Sequence, residues 1–396
     1  MTRVLFLTSL YSTPLQPKRS PPNARIARAM RAFADVRAVV PLPWYPALAA
    51  KKRADLASIV ETPERETEID GAEVLHPRYL HLPKIGRPLY PWLYAASVAA
   101  PVRRVVIDYR PDVILSAWAF PDGIAAVAIA KALGVPSVLR VMGSDINAFG
   151  QERARRPQIQ WVLRNSTRII AVSAALRDAC VELEPRSEPN IDVIPTGVDL
   201  KKFFPSDRAE ARAALDLPID RPVVLVPARV SIEKGVQFFV EALAKLPKEV
   251  FAVSVGGGPE QPRLAKRAAE LGLGDRIRWV DHVDEKSMRL HYVAADLACL
   301  PSTEEGWPNV LAESFACGCP WVASNVGGVP DIQKLAPGGL LAKPGDAEDL
   351  AAALRVALHK PWDRAAIAAG GASISLEDTA RKYVATCDRA ARTRAA

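Results

Sequence analysis

The chain has 396 residues, of which 49% are hydrophobic, so it is long enough for two domains and too apolar to be a disordered protein. Its formal net charge is +8 at pH 7, and residues 1–200 supply +7 of it, with 26 Lys and Arg against 19 Asp and Glu. No nucleic-acid-binding motif accompanies this charge, so a nucleic-acid-binding protein is not expected. No apolar run reaches the roughly 18 residues of a membrane-spanning helix, so a membrane-spanning protein is not expected either.

The chain begins with an apolar segment at residues 4–7. Lys18 and Arg19 follow it without a small-residue cleavage site, so the segment predicts a first buried strand rather than a signal peptide. Together with an odd number of dispersed cysteines, this pattern indicates a cytoplasmic protein.

Basic residues then cluster in the first part of the chain, beside Trp44 and Tyr45. They are Arg25, Arg28, Arg31, Lys51, Lys52 and Arg53. Two interpretations stay open: a solvated helix face, or a surface attracted to an anionic membrane or to a phosphate-bearing acceptor.

Short apolar segments alternate with helical segments through both halves of the chain. The predicted strands of the first half are residues 4–7, 36–40, 113–115, 137–141 and 169–172. Those of the second half are residues 223–226, 251–255, 277–280, 297–300 and 321–323. The alternation predicts an α/β fold with two Rossmann-like, doubly wound parallel sheets.

A connection rich in Pro and Gly, residues 194–199, separates the two halves, and residues 376–392 predict a last helix that packs back on the first domain. We therefore predict a first domain at residues 1–200, a second at 201–375 and a C-terminal helix at 376–396.

Two cations follow the first strand of the second half. Arg229 comes directly after that strand and Lys234 lies five residues later, so both can point to one place beyond the strand. Ligands of doubly wound sheets bind at the carboxyl ends of strands, and a diphosphate would satisfy both cations. The alternative is an exposed Arg and Lys at the start of a helix.

Two glycine-rich turns follow later strands. The first runs through Gly256, Gly257 and Gly258 to Pro259 and Glu260, and its glycines permit a close approach between backbone and ligand. An ordinary tight turn would also explain it. The second, residues 325–331, is predicted to support the preceding loop structurally.

Two acids, Glu305 and Glu313, flank a Gly-Trp-Pro-Asn segment. Pro308 and Asn309 can start a helix that carries Glu313 in its first turns, with Glu305 on the loop before it. The amino end of such a helix attracts a phosphate between acids that accept hydrogen bonds from hydroxyl groups. On the pair alone, hydrolysis, metal binding and a capped surface helix also stay open.

The cysteines are dispersed and odd in number, which is typical of a reducing compartment without a disulfide framework. They are Cys180, Cys299, Cys317, Cys319 and Cys387. Cys317 and Cys319 have no second pair of zinc ligands nearby, so no metal site is expected.

In this order the loops of the second half resemble those of the family 4 retaining glycosyltransferases. The matching positions are Arg229, Lys234, residues 257–260, Glu305, Gly306, Glu313, residues 316–318 and residues 327–331. In the first half, residues 119–123 and 143–147 look like the branch that builds cell-surface polysaccharides, teichuronic-acid-type transferases among them.

The resemblance implies a GT-B fold, two facing Rossmann-like domains, and roles for individual residues. Arg229 and Lys234 would hold the diphosphate of a nucleotide-sugar donor, Glu305 would face the donor sugar, and Glu313 would accept hydrogen bonds from the ribose. The resemblance also implies further donor-binding residues, which are Gly257, Gly258, Pro259, Glu260, Gly306, Asn309, Val310 and Leu311. Asp145 of the first domain would contact an acceptor hydroxyl, although capping of the segment that begins at Ile146 stays open.

The implied activity is transfer of a sugar from a UDP- or GDP-sugar to a lipid-linked or saccharide acceptor, with retention and without a metal or other cofactor. A noncatalytic nucleotide-binding partner of another transferase and a nucleotide-sugar epimerase remain alternatives. The chain departs from the family pattern at Thr196, where asparagine is common, and it lacks a histidine between residues 116 and 145.

Overall fold

The structure, a computed structural model, describes residues 1–12, 21–45, 59–67, 73–80, 90–335 and 338–393. The chain divides into two compact units, Met1–Pro195 together with Glu377–Ala396, and Thr196–Leu376. Each contains a parallel sheet with connecting helices, so the predicted α/β fold with two Rossmann-like domains is confirmed.

The first unit is built on a sheet with the order β10-β9-β8-β7-β1-β2-β5-β4, in which only the β4–β5 pair is antiparallel; β3 and β6 form a separate parallel pair. The strands are β1 (Arg3–Leu7), β2 (Asp35–Val39), β3 (Leu42–Pro43), β4 (Arg65–Thr67), β5 (Glu73–Leu75), β6 (Arg78–Tyr79), β7 (Val113–Ala117), β8 (Ser137–Val141), β9 (Arg168–Ala171) and β10 (Ile191–Val193). The central strands β7 and β8 are buried along their whole length because helices cover both faces of such a sheet.

The helices of this unit connect successive strands. They are α1 (Pro21–Met30), α2 (Tyr90–Tyr109), α3 (Ile124–Leu133), α4 (Ser144–Asn147), α5 (Arg156–Asn165) and α6 (Ala174–Leu183). On α1, Arg25 and Arg28 are half-buried, as is Arg31 just after it, so they do not form a fully solvated face. Lys51, Lys52 and Arg53 lie outside the described residues.

The second unit has a six-stranded, wholly parallel sheet with the order β13-β12-β11-β14-β15-β16. Its strands are β11 (Val223–Pro227), β12 (Phe251–Val255), β13 (Ile277–Val280), β14 (Leu297–Leu300), β15 (Trp321–Ser324) and β16 (Gly339–Ala342). Its helices are α7 (Arg208–Ala214), α8 (Val236–Leu243), α9 (Gln261–Glu270), α10 (Glu285–Ala294), α11 (Asn309–Ala316), α12 (Val329–Leu335), α13 (Ala347–His359) and α14 (Arg364–Ala372).

The last helix, α15 (Leu376–Arg392), packs against the first unit as predicted. Asp192 at the β10 edge accepts hydrogen bonds from Thr386 Oγ1 at 2.9 Å and from Arg389 Nη2 at 2.6 Å. The guanidinium of Arg140 lies 5.8 Å from the centre of the buried Tyr383 ring. Polar and aromatic contacts thus fix this helix to the first domain.

The described strands β3, β4, β5, β6, β10 and β16 were not predicted. All of them are short, and β16 begins with Gly339, where a Cβ would lie 2.4 Å from the Trp321 ring. Close packing against Trp321 therefore requires a residue with low strand preference, which hides the strand from the sequence pattern.

Candidate active site

The loops after β11 and β14 are packed directly on each other. Gly235, with φ of +66°, follows Lys234, and a Cβ at this position would lie 1.9 Å from the carbonyl oxygen of Pro301. Thr303 N–H also donates to the Glu233 carbonyl at 2.9 Å. The loop that carries Arg229 and Lys234 therefore packs directly against the loop that carries Glu305, at the carboxyl ends of two neighbouring strands.

Lys234 and Glu305 form an ion pair in this structure. Lys234 Nζ lies 2.7 Å from Glu305 Oε1, and Ser302 Oγ donates to the same oxygen at 2.8 Å. The Glu305 side chain is 8% exposed and that of Lys234 is 30% exposed. The carboxylate is thus fixed in a poorly solvated position, beside a more exposed ammonium group.

Arg229 has a different partner. Its Nη2 lies 2.8 Å from Glu233 Oε1, which also accepts a hydrogen bond from Ser231 Oγ at 2.7 Å. The hydrogen bond from Ser231 and the one from Arg229 lower the pKa of Glu233 to about 2. Each cation therefore has its own carboxylate, and the Arg229 side chain remains 65% exposed.

The helix predicted to begin at Pro308 and Asn309 is confirmed as α11, with Pro308 preceding its first residue. Glu313 lies in its second turn, where Glu313 Oε2 accepts a hydrogen bond from the buried Tyr292 hydroxyl at 3.0 Å. Burial, followed by the neighbouring Glu313 carboxylate, raises the pKa of Tyr292 well above its ordinary value, so Tyr292 remains a donor to Glu313.

The amino end of α11 is only partly available to a ligand. Gly306, Asn309 and Val310 are partly exposed, whereas Leu311 is buried and its N–H donates to the Pro308 carbonyl at 3.0 Å. The backbone turn uses the Leu311 amide in this structure, and its predicted contact with the donor stays a prediction.

The turn of Gly256, Gly257 and Gly258 has positive φ at all three residues. A Cβ on Gly256 would lie 2.5 Å from the Ala228 carbonyl oxygen, and one on Gly258 would lie 2.3 Å from that of Val230. These two glycines are required because the turn packs against the backbone that carries Arg229. Their predicted contact with the donor stays a prediction.

The residues after this turn lead into α9. Pro259 is exposed, and Glu260 Oε2 lies 2.7 Å from Arg263 Nε, in a pair whose side chains are 23% and 60% exposed. Glu260 is therefore engaged with its own helix in this structure, and a donor contact there stays a prediction.

The turn after β15 supports the Glu305 loop, as the sequence predicted. Gly327 has φ of +50°, and a Cβ on it would lie 1.6 Å from the Glu305 carbonyl oxygen. Only a residue without a side chain permits this approach.

Gly327→Ala is therefore expected to displace the Glu305 loop and to lower both stability and turnover. Gly272→Ala is the matched control, because Gly272 has φ of +71° but nothing within 4 Å of the added Cβ. We expect the control to lose about 1–2 kcal/mol of stability from the left-handed backbone, with unchanged turnover. Urea unfolding and steady-state kinetics of the two variants provide the comparison, and equal losses in both would contradict the proposed clash.

The side chain of Asp145, in the first unit, accepts hydrogen bonds from backbone N–H groups. Its carboxylate is fully buried and accepts hydrogen bonds from the N–H groups of Ala119 at 3.0 Å, Met142 at 3.1 Å and Gly143 at 2.8 Å. Burial raises its pKa. This geometry ties the segments after β7 and β8 together, and it shows no side-chain cap for α4. Contact with an acceptor hydroxyl stays a prediction.

Several residues at the site were missed by the sequence reasoning: Glu233, Tyr292 and Ser302. The Arg229-to-Glu233 spacing of four residues was a usable signal, and Ser302 lies three residues before Glu305. Tyr292 offered none, because its contact with Glu313 depends on the packing of α10 beside α11.

Within the described ranges, no three His, Cys, Asp or Glu side chains are grouped to hold a metal ion. The five cysteines are buried and free. The predicted absence of a cofactor stays a prediction. Among the described helices, none combines the length and the apolar character needed to cross a bilayer.

Comparison with known proteins agrees with this geometry. Residues 47–202 match the family model described as Glycosyltransferase Family 4, and residues 207–373 match the one described as Glycosyl transferases group 1. The D-inositol 3-phosphate glycosyltransferase of Frankia alni is 32% identical over 302 residues, which cover 70% of this chain and 74% of that protein. The chain belongs to the family 4 glycosyltransferases.

This glycosyltransferase is also similar to a Bacillus subtilis protein named as the teichuronic acid biosynthesis glycosyltransferase TuaC. The two are 27% identical over 356 residues, covering 89% of this chain and 88% of TuaC. The structure of Anabaena HepE in complex with UDP superposes with a TM-score of 0.74 and 20% identity, covering 98% of this chain and 100% of HepE. This likeness shows a shared fold, which is of the GT-B type.

Proposed function

We propose that this glycosyltransferase is a retaining, metal-independent enzyme that moves a sugar from a UDP- or GDP-sugar to a lipid-linked or saccharide acceptor in cell-surface polysaccharide synthesis. The Lys234–Glu305 pair carries the proposal, because it places a cation and a poorly solvated carboxylate together beside the start of α11. The similarity to TuaC supports the choice of polysaccharide synthesis, and the UDP bound to HepE supports a nucleotide donor.

The donor would extend across the loops after β11 and β14. Lys234 and the exposed Arg229 would bind its diphosphate, and the partial positive charge at the amino end of α11 would add to theirs. Glu313, oriented by Tyr292, would accept hydrogen bonds from the ribose hydroxyls. Glu305 would accept hydrogen bonds from hydroxyls of the donor sugar.

The reaction would proceed on one face of the sugar. As the bond between the anomeric carbon and the phosphate oxygen breaks, the diphosphate leaves with the electron pair, and the acceptor oxygen attacks from the same side. The acceptor hydroxyl would pass its proton to the leaving phosphate, so no protein nucleophile is required. Lys234 and Arg229 would stabilise the charge that develops on the diphosphate, a role that a metal fills in other transferases.

A transfer assay tests the proposal. Donor sugars with UDP and GDP are incubated with a polyprenyl-diphosphate saccharide in vesicles, with and without EDTA, and the product anomer is followed by NMR. We expect transfer with retained configuration in EDTA, and a higher rate in vesicles that contain anionic lipid, because the first domain is basic. Inversion would contradict the retaining mechanism, and loss of activity with EDTA would contradict metal independence. Release of a free isomerised sugar would contradict transfer to an acceptor.

A further inference from the structure

Asp281 lies beside the glycine turn of residues 256–258. Under the proposed function, the nucleoside of the donor would bind on this side of the site. It is the first residue after β13, and β13 pairs with β12, whose end leads into the glycine turn. Asp281 Oδ1 lies 3.0 Å from the position that a Cβ on Gly257 would occupy. The carboxylate therefore lies over Gly257, which is buried, while Asp281 itself is exposed.

This carboxylate is available to a ligand. Among the described residues, no hydrogen bond or salt bridge occupies it, in contrast to Glu233, Glu260 and Glu305 on the neighbouring loops. A ligand that approaches the glycine turn thus meets a charged, acceptor-only group rather than bare backbone.

The chemistry of the nucleobases makes such a group selective. Guanine presents two adjacent donors, N1–H and the 2-amino group, which match the two oxygens of a carboxylate. Uracil presents one N–H between two carbonyl oxygens, and adenine presents its amino group beside an acceptor nitrogen, so both place an acceptor against the negative charge. A base that places an acceptor against the carboxylate leaves that hydrogen bond unmade and is therefore disfavoured.

We propose that Asp281 is a specificity-determining residue that selects a guanine nucleotide, so that the donor is a GDP-sugar rather than a UDP- or ADP-sugar. This inference rests on the proposed function, since it requires the nucleoside to lie against the turn at Gly257. Of the UDP- and GDP-sugars named in the proposed function, the inference selects the GDP-sugars.

Binding of GDP, UDP and ADP measured by isothermal titration calorimetry tests the inference. We expect the wild-type protein to bind GDP at least tenfold more tightly than UDP or ADP, because charge-assisted hydrogen bonds have about this effect on affinity. Asp281→Asn presents one acceptor and one donor, which match uracil, so the ratio of GDP to UDP affinity should fall at least tenfold. Asp281→Ala should also reduce GDP affinity and should strengthen UDP binding modestly, because it removes the negative charge that faces the uracil carbonyl oxygens.

Asp275→Asn is the matched control, because Asp275 is an exposed acid at the opposite end of β13. This variant should keep the wild-type ratio. Preference of the wild-type protein for UDP or ADP, or an unchanged ratio in Asp281→Asn, would overturn the inference and leave the proposed function intact. Absence of binding by all three nucleotides would overturn both.

Discussion

Lys234→Ala is expected to lower kcat on the order of 10²- to 10³-fold, the loss typical when one donor to a developing oxyanion is removed from a preorganised site. Lys234 Nζ lies 2.7 Å from Glu305 and would have to contact the departing diphosphate as well. Steady-state kinetics with saturating donor measures the loss directly. An unchanged kcat would show that Lys234 does not act on the leaving group.

The same substitution affects stability through Glu305. Its side chain is 8% exposed, so removal of the ammonium group leaves a poorly solvated carboxylate whose remaining side-chain partner, within the described part of the chain, is the Ser302 hydroxyl. We expect a loss of about 1–3 kcal/mol in the free energy of unfolding, the usual cost of an unsatisfied buried group. Urea unfolding at pH 7 provides this measurement.

Two further variants separate these effects. Lys234→Met keeps the aliphatic stem without the charge, so it should reproduce the loss of kcat if charge is responsible. Lys245→Ala removes a lysine whose ion pair with Glu348 is exposed, with side chains 40% and 73% accessible. This variant should keep the wild-type kcat and should change the free energy of unfolding by no more than about 0.5 kcal/mol.

The strands and the helix starts were predictable because the physical signals are local. The segments predicted as strands at residues 251–255 and 277–280 correspond to β12 and β13 at the predicted bounds. Pro308 and Asn309 mark the start of α11 because proline is compatible with the helix amino terminus but not with its interior. The last helix likewise occupies the predicted residues 376–392.

The pairing of side chains was not predictable in the same way. Arg229 and Lys234 were expected to share one ligand, and in the structure each holds a separate carboxylate, because Glu233 lies between them on the same short turn. The sequence left both a ligand contact and an ordinary tight turn open for the glycines at 256 and 258, and the backbone of residues 228 and 230 already requires them. Such contacts depend on the approach of loops from different strands, which the sequence does not encode locally.

Glu313→Ala is expected to weaken nucleoside diphosphate binding by about 10- to 100-fold, which corresponds to about 1.5–3 kcal/mol for hydrogen bonds to a charged acceptor. Glu313 is the partly exposed acid of α11, and Tyr292 fixes one of its oxygens at 3.0 Å. The carboxylate, oriented in this way, would accept a hydrogen bond from the ribose. Calorimetric titration with the preferred nucleoside diphosphate measures the change.

Deoxy nucleotides make the prediction specific to the ribose. Wild-type protein should bind the 2′-deoxy or the 3′-deoxy nucleoside diphosphate more weakly than the parent, whereas Glu313→Ala should bind all three equally, because the acceptor for the hydroxyl is gone. Tyr292→Phe keeps the carboxylate but frees its orientation, so it should show an intermediate preference. Glu304→Ala, which removes an exposed acid on the adjacent loop, should behave as wild type. A Glu313→Ala protein that still discriminated between the parent and deoxy nucleotides would place the ribose contact on another residue, since discrimination requires an acceptor that the hydroxyl can reach.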